Sequence, residues 1–201
     1  WALRMVLGEH VKQAGSLVSP DRLRFDFSHY DGVTAEEIIK IENLANAQVL
    51  ANSPVTATES SKEEALAAGA IAFFGDKYGD VVRVLNAGAS TELCGGTHVS
   101  ATGDIGFIKI IGESSIGSNL RRIEAVTGAN AVSYMQRNDA ILNEISQAVG
   151  VRPDEAVTGV TRRLDELKAA QDEIKVLRGK LSVGRAVELA ASAVDGLVVA
   201  R

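Results

Sequence analysis

Val81-Val82-Arg83-Val84-Leu85, Asn86-Ala87-Gly88-Ala89-Ser90 and Leu93-Cys94-Gly95-Gly96-Thr97-His98 read in turn as a strand, a turn and a glycine-rich loop. Gly103-Asp104-Ile105-Gly106 closes the loop, and Phe107 to Ile111 reads as the next strand. Cys94 is the only cysteine of the chain, and His98 is one of three histidines. A thiolate and an imidazole four residues apart can share one zinc ion, yet a structural zinc site takes four ligands and a catalytic one takes three from protein. Only two stand here. The bland reading has equal standing from these residues alone, because a free cysteine commonly packs as a small hydrophobe. A loop between two strands is, however, exposed enough to meet a ligand.

Working outward, Ala2 to Gln13 reads as an amphipathic helix with Leu3, Val6, Leu7 and Val11 on one face, ended by Gly15. Leu23 to His29 alternates apolar and polar, the pattern of a half-buried strand. Asp31-Gly32 is a turn, and Thr34-Ala35-Glu36-Glu37 is a capping box opening a helix. Ile38, Ile41, Leu44, Ala45 and Val49 form its buried stripe, and Asn52-Ser53-Pro54 stops it. A short strand from Pro54 to Thr58 and a helix from about Ser60 to Gly69 follow. Phe73-Phe74-Gly75 and Tyr78-Gly79-Asp80 read as a loop before Val81, and Leu120 to Val126 as a further strand. The mixed order of helices and hairpin-like strands predicts a two-layer α+β domain over residues 1–132.

Beyond it the pattern becomes helical. Ala129 to Val149 reads as a helix stopped by Gly150, and Arg152-Pro153-Asp154 opens another. Val160, Leu164, Leu167, Ile174, Leu177 and Leu181 keep near-heptad spacing, interrupted by Gln171 and Arg178. Residues 133–192 are therefore expected to form an α-helical hairpin or a coiled-coil arm, with self-association through it open, and 193–201 to begin a further domain.

Hydrophobic content of 46% excludes a disordered chain. Aromatics are only 4%, so aliphatic side chains must build the core. One cysteine forms no internal disulfide, which suits a reducing cytoplasm. There is no run of 18 apolar residues and no signal-peptide pattern at Trp1-Ala2-Leu3-Arg4-Met5, so no membrane association is expected. The start also lacks an initiator Met, as in a chain cut from something longer. Residues 1–151 carry 12 Lys and Arg against 18 Asp and Glu, and residues 152–201 carry 9 against 8. With no basic field over a whole domain, any contact with nucleic acid must be local.

Four stretches together resemble the editing region of the bacterial alanyl-tRNA synthetases. They are Leu7-Gly8-Glu9-His10-Val11 with Gln13-Ala14-Gly15-Ser16-Leu17-Val18, Arg22 to His29, Cys94 to His98, and Arg121-Arg122-Ile123-Glu124-Ala125-Val126-Thr127-Gly128. The threonyl enzymes share the Cys/His loop and the Arg-Phe-Asp-Phe-like strand, and the long helical tail favours the alanyl type. The resemblance implies an editing domain of the threonyl/alanyl type that hydrolyses serine or glycine wrongly esterified to tRNA(Ala). A pocket for alanine cannot exclude glycine and rejects serine poorly, so a second, hydrolytic site is needed.

Residue roles follow from the resemblance. Cys94 and His98 match two of four ligands of a Zn2+ ion. The other two belong to an H-x-x-x-H motif upstream of the position matching Trp1, which these 201 residues lack, His10 being followed four positions later by Ala14. The strand period gives His29 no reason to join them. Gln13 matches a polar residue of the editing pocket. Gly95 and Gly96 can bring backbone N–H groups to the substrate carbonyl, and Thr97 can read its hydroxyl or cap the loop. Arg24, Arg121 and Arg122 are candidates for the 3′ end of tRNA(Ala), with structural ion pairs as the alternative for the last two. Water is the expected nucleophile. The stretches for aminoacylation and ATP binding lie upstream in the family, so the remainder of the synthetase chain is an expected partner. Without the upstream histidines, an inactive tRNA-binding or oligomerisation module is the alternative.

Overall fold

The computed structural model describes residues 1–73 and 79–191. Phe74, Gly75 and Tyr78 of the expected loop, and the whole 193–201 segment, lie outside them. The chain divides into two compact units, Trp1–Gln136 and Arg137–Arg201.

The first unit is α+β. It contains α1 (Ala2–Leu7), β1 (Gln13–Val18), β2 (Leu23–Ser28), α2 (Ala35–Ala51), β3 (Val55–Ser61), α3 (Lys62–Ala67), β4 (Val81–Ala87), β5 (Ser90–Leu93), a 3-10 turn (Thr102–Ile105), β6 (Ile108–Gly117) and β7 (Leu120–Thr127). Two antiparallel sheets form, in the orders β1-β2-β7-β6 and β3-β4-β5. Phe27, fully buried, centres one core with Val11, Ile41, Ile110, Ile123 and Ala125. Val82, Val84, Leu93 and Ala65 make a smaller core in the second sheet.

Local chemistry explains most boundaries. Thr34 and Glu37 close both halves of the capping box at the start of α2, and Ser61 and Glu64 do the same for α3. Asn52 ends α2 in the left-handed region, at φ 48°, two residues before Pro54. The first helix is shorter than the apolar spacing predicts. It stops at Leu7 because Gly8 adopts φ 112°, which residues with a Cβ rarely reach. Gln13 and Gly15 consequently lie on β1, with a register shift between them, and Gly15 ends no helix.

The turn expected over Asn86–Ser90 is only the two residues Gly88-Ala89: Asn86 and Ala87 belong to β4, and Ser90–Leu93 is the strand β5. Gly88 adopts φ 60°, which strains any residue with a Cβ, and a Cβ there would lie 2.4 Å from Gln48 Oε1 and displace that side chain from Ala89 N–H.

Buried polar side chains on α2 hold the unit together. Glu42 and Asn46 are 8% and 9% exposed, inside what the sequence pattern takes for the polar face. Asn46 donates to the Ile108 carbonyl at 2.9 Å and accepts from the Ile108 N–H at 2.8 Å. Glu42 Oε1 accepts from the Ile110 N–H at 2.6 Å, and both Glu42 oxygens accept from Lys109 Nζ at 2.9 Å. The outer edge of β6 is thus paired with a helix rather than a strand. The fit is geometric: residues four apart on a helix rise about 6 Å, and residues two apart on a strand about 6.8 Å. Further along, Gln48 Oε1 accepts from Ala89 N–H and Asn52 Oδ1 from Gly103 N–H.

In the second unit, Gly150 (φ 72°) ends α4 (Gly128–Val149), and a 3-10 turn at Pro153–Glu155 leads into α5 (Ala156–Ala191). Gly159 lies so close to Val151 and Val149 that a Cβ would meet their methyls at 2.9 and 3.1 Å. From residue 161 to 191 every residue of α5 is exposed, including Leu164, Leu167, Ile174, Leu177 and Leu181. The tail thus contains one long helix with no buried stripe along residues 161–191.

Asn46→Leu leaves the Ile108 N–H and C=O without their partner and is expected to cost about 2–3 kcal/mol. The urea midpoint measures it, with exposed Asn43→Leu as a control expected within about 0.5 kcal/mol of the parent.

Candidate functional site

β4 and β5 position the Cys/His loop. Cys94 directly follows β5, and its N–H donates to the Arg83 carbonyl on β4 at 3.1 Å. The Arg83 side chain returns to the same loop. Its Nη1 donates to the Cys94 carbonyl at 3.0 Å and the Gly96 carbonyl at 2.8 Å, and stands 3.4 Å from His98 Nδ1. The sequence reading placed Arg83 only as part of a strand. A lone arginine in an apolar alternation, eleven residues before the cysteine, gives no sign of its target.

Cys94 is half-buried, and Gly95, Gly96, Thr97 and His98 are exposed. Cys94 and His98 flank one point: a Cβ on Gly96 would lie 3.7 Å from Cys94 Sγ and 3.7 Å from His98 Cε1. A thiolate and an imidazole suit zinc in chemical type. Among the described residues no group of three or more His, Cys, Asp or Glu is gathered to hold a metal. His29 is engaged elsewhere, with His10 Nε2 2.8 Å from His29 Nδ1 and the rings stacked at 5.1 Å.

Gln13, at the start of β1, donates to Ser16 Oγ at 3.0 Å. With Trp1, Leu3, Arg4, Val11, Phe25, Phe73 and Glu92 it lines a cavity of about 80 Å³. Glu92 lies on β5 two residues before Cys94, so this cavity adjoins the strand that carries the loop. A larger apolar cleft of about 390 Å³ runs between α2 and the sheets, past Leu23, Ile41, Val49, Ile108 and Ile123. Its one carboxylate, Glu42, is already held by Lys109 and the Ile110 N–H.

Arg24 lies on β2 and Arg121 and Arg122 on β7, where Asp26 pairs with Arg122 in register; Arg121 and Arg122, adjacent on the strand, leave on opposite faces of the sheet. Arg122 grips Asp26 in a two-pronged pair at 2.7 and 2.9 Å, and Arg121 grips Glu113 at 2.6 and 2.7 Å. Arg24 Nε lies 3.7 Å from Asp26 and is buried without a hydrogen-bond partner among the described residues. The hydrogen bonds from Arg122, reinforced by the charges of Arg122 and Arg24, hold the Asp26 carboxyl below its ordinary 3.8 against the opposing effect of burial. Hydrogen bonding to Glu113 raises Arg121 in the same sense.

Residues 82–124 match the family described as the threonyl and alanyl tRNA synthetase second additional domain. Over 194 residues, 96% of its length, the chain is 49% identical to an alanine–tRNA ligase of Delftia acidovorans and 48% identical to one of Herminiimonas arsenicoxydans. Over 195 residues it is 51% identical to an alanine–tRNA ligase of Xanthomonas campestris pv. campestris. The match covers 22% of each of these relatives, so the chain spans about a fifth of their length. The resemblance carried by the quoted motifs therefore extends across nearly the whole chain.

The depressed Asp26 carboxyl fixes an acid limit on stability. Its contribution is complete above the ordinary carboxylate value and is lost as pH falls through the lower folded value. Asp26→Asn leaves Arg122 without its counter-charge, at an expected cost of about 2–3 kcal/mol at neutral pH. Thermal midpoints from pH 2 to 7 check both points: the variant is lower at pH 7 and falls less steeply below pH 4.

Proposed function

We propose, with the match to one segment of bacterial alanine–tRNA ligases as premise, that this chain hydrolyses the ester of tRNA(Ala) wrongly charged with serine or glycine. The observation that carries the reading is the exposed Gly95-Gly96-Thr97 loop, held by Arg83 within the region that matches the synthetase family. Acyl-ester hydrolysis needs a water nucleophile and donors at the carbonyl oxygen. The loop offers backbone donors, with Cys94 and His98 beside them. Gln13 lies at a cavity adjoining the same strand, where its amide can orient the amino acid. Thr97 is placed to read the serine hydroxyl.

Arg24 is the best placed of the three arginines for the tRNA 3′ end, because its side chain is 35% exposed and is held only by a 3.7 Å ion pair to Asp26, where the other two are locked in forked pairs. Arg121 and Arg122, each engaged with a carboxylate, shape that surface and offer only their remaining N–H edges. Cys94 and His98 are proposed as two ligands of a Zn2+ ion completed from outside the described residues. No step of the hydrolysis is routed through it.

The exposed apolar stripe of α5 favours a second reading for the tail, an arm that contacts tRNA, another part of a synthetase chain or a second copy. Among the described residues no helix is long and apolar enough to cross a membrane.

Two measurements test the proposal. The first is hydrolysis of Ser-tRNA(Ala) by this chain, and by the same chain preceded by the adjoining segment of a relative, each with its zinc content. Activity and zinc rising together in the longer form are expected; equal activity without metal defeats the zinc assignment, and no activity in either defeats the editing reading. The second is Gln13→Ala, expected to lower the preference for serine over alanine about tenfold, against an unchanged preference if Gln13 lines no pocket.

A further inference from the structure

We infer that Arg83 is the positioning residue of the hydrolytic loop, and that it turns the Gly95 and Thr97 amides outward as the donors to the substrate carbonyl. The inference rests on the editing reading and assigns its donors. Arg83 Nη1 binds the carbonyls of Cys94 and Gly96. There are no cis peptides among the described residues, and in a trans peptide the N–H points opposite to the C=O of the same unit. The unit of the Cys94 carbonyl carries the Gly95 N–H, and that of the Gly96 carbonyl carries the Thr97 N–H. Both amides therefore face away from Arg83, toward the exposed side of the loop.

Both residues are exposed, and neither N–H has an acceptor among the described residues. A Cβ on Gly95 would meet nothing within 4 Å, so the space beside that amide is open. The sequence reading offered Gly95 and Gly96 as the donors; the peptide orientations favour Gly95 and Thr97. The Arg83 backbone adds a further restraint through its carbonyl, which accepts from Cys94 N–H. One strand residue thus fixes the loop at three points.

Arg83→Met removes the side-chain donors, and Arg83→Lys restores a cation able to reach at least one carbonyl. With the chain in its active form, Arg83→Met is expected to lower kcat for Ser-tRNA(Ala) roughly 100-fold, the scale of a lost oxyanion donor, with KM within about twofold. Arg83→Lys is expected to recover part of that loss. Amide NMR spectra are expected to keep the β4 and β6 resonances in both variants and to shift those of residues 94–98. An unchanged kcat in Arg83→Met overturns the inference, as does an equal fall in both variants with β-strand resonances lost.

If the parent chain hydrolyses no Ser-tRNA(Ala), the editing reading fails by itself. The loop is then decided by titration with 3′-deoxy-3′-serylamido-adenosine, a non-hydrolysable probe. Gly95 and Thr97 amide shifts in the parent that vanish in Arg83→Met uphold the donor assignment, and shifts absent from both residues reject it.

Discussion

The pairing of α2 with the edge of β6 is the constraint on which the rest of the first unit depends. An antiparallel sheet of order β1-β2-β7-β6 has two open edges, and an unpaired edge leaves N–H and C=O groups exposed to other chains. Here Glu42 and Asn46 take the place of a fifth strand. Burying a carboxylate and an amide costs free energy unless both are fully bonded. The Ile110 N–H and Lys109 ammonium satisfy Glu42, and both polar groups of Ile108 satisfy Asn46. Because Gln48 and Asn52 on the same helix bind Ala89 and Gly103, α2 also ties the first sheet to the β4–β5 turn and the segment after the Cys/His loop. Its position therefore bears on the loop's position.

Ion pairs on the two faces of that sheet serve a different end. Asp26, Glu113, Arg121 and Arg122 form two forked ion pairs across β2, β6 and β7. Partly buried forked pairs have more fixed geometry than surface pairs and are screened less by salt. They leave little free positive charge, consistent with a first unit rich in acidic residues.

Much of this was legible in the sequence, and the failures have physical causes. The capping box at Thr34 and Glu37 was readable because side-chain caps depend on residues three apart. The β2 alternation was readable because a strand with one buried face has period two. The first helix was overextended because its apolar spacing continues through Val11, while Gly8 diverts the backbone. β5 was missed because four residues between a turn and a glycine-rich loop show too little alternation to count. Glu42 and Asn46 were absent from the buried stripe read on α2 because hydrophobicity cannot reveal that a helix faces a strand edge. The Cys94–His98 pair was visible as chemistry, but its supporting arginine was not, because that contact is made across a hairpin.

That last gap bears on how such a loop works. Glycines at 95 and 96 leave the backbone many conformations, and an unrestrained loop would hold its amides in no fixed direction. For the role proposed above, the loop's own side chains have to leave the space beside the amides open, so the restraint comes from a neighbouring strand and acts on carbonyls. A guanidinium meets both conditions, with several donors in a rigid plane and no acceptor to compete for the N–H groups. The position of Arg83 on β4, antiparallel to the strand that leads into Cys94, brings that plane under the loop. The motif from Cys94 to His98 therefore depends for its shape on a residue outside it.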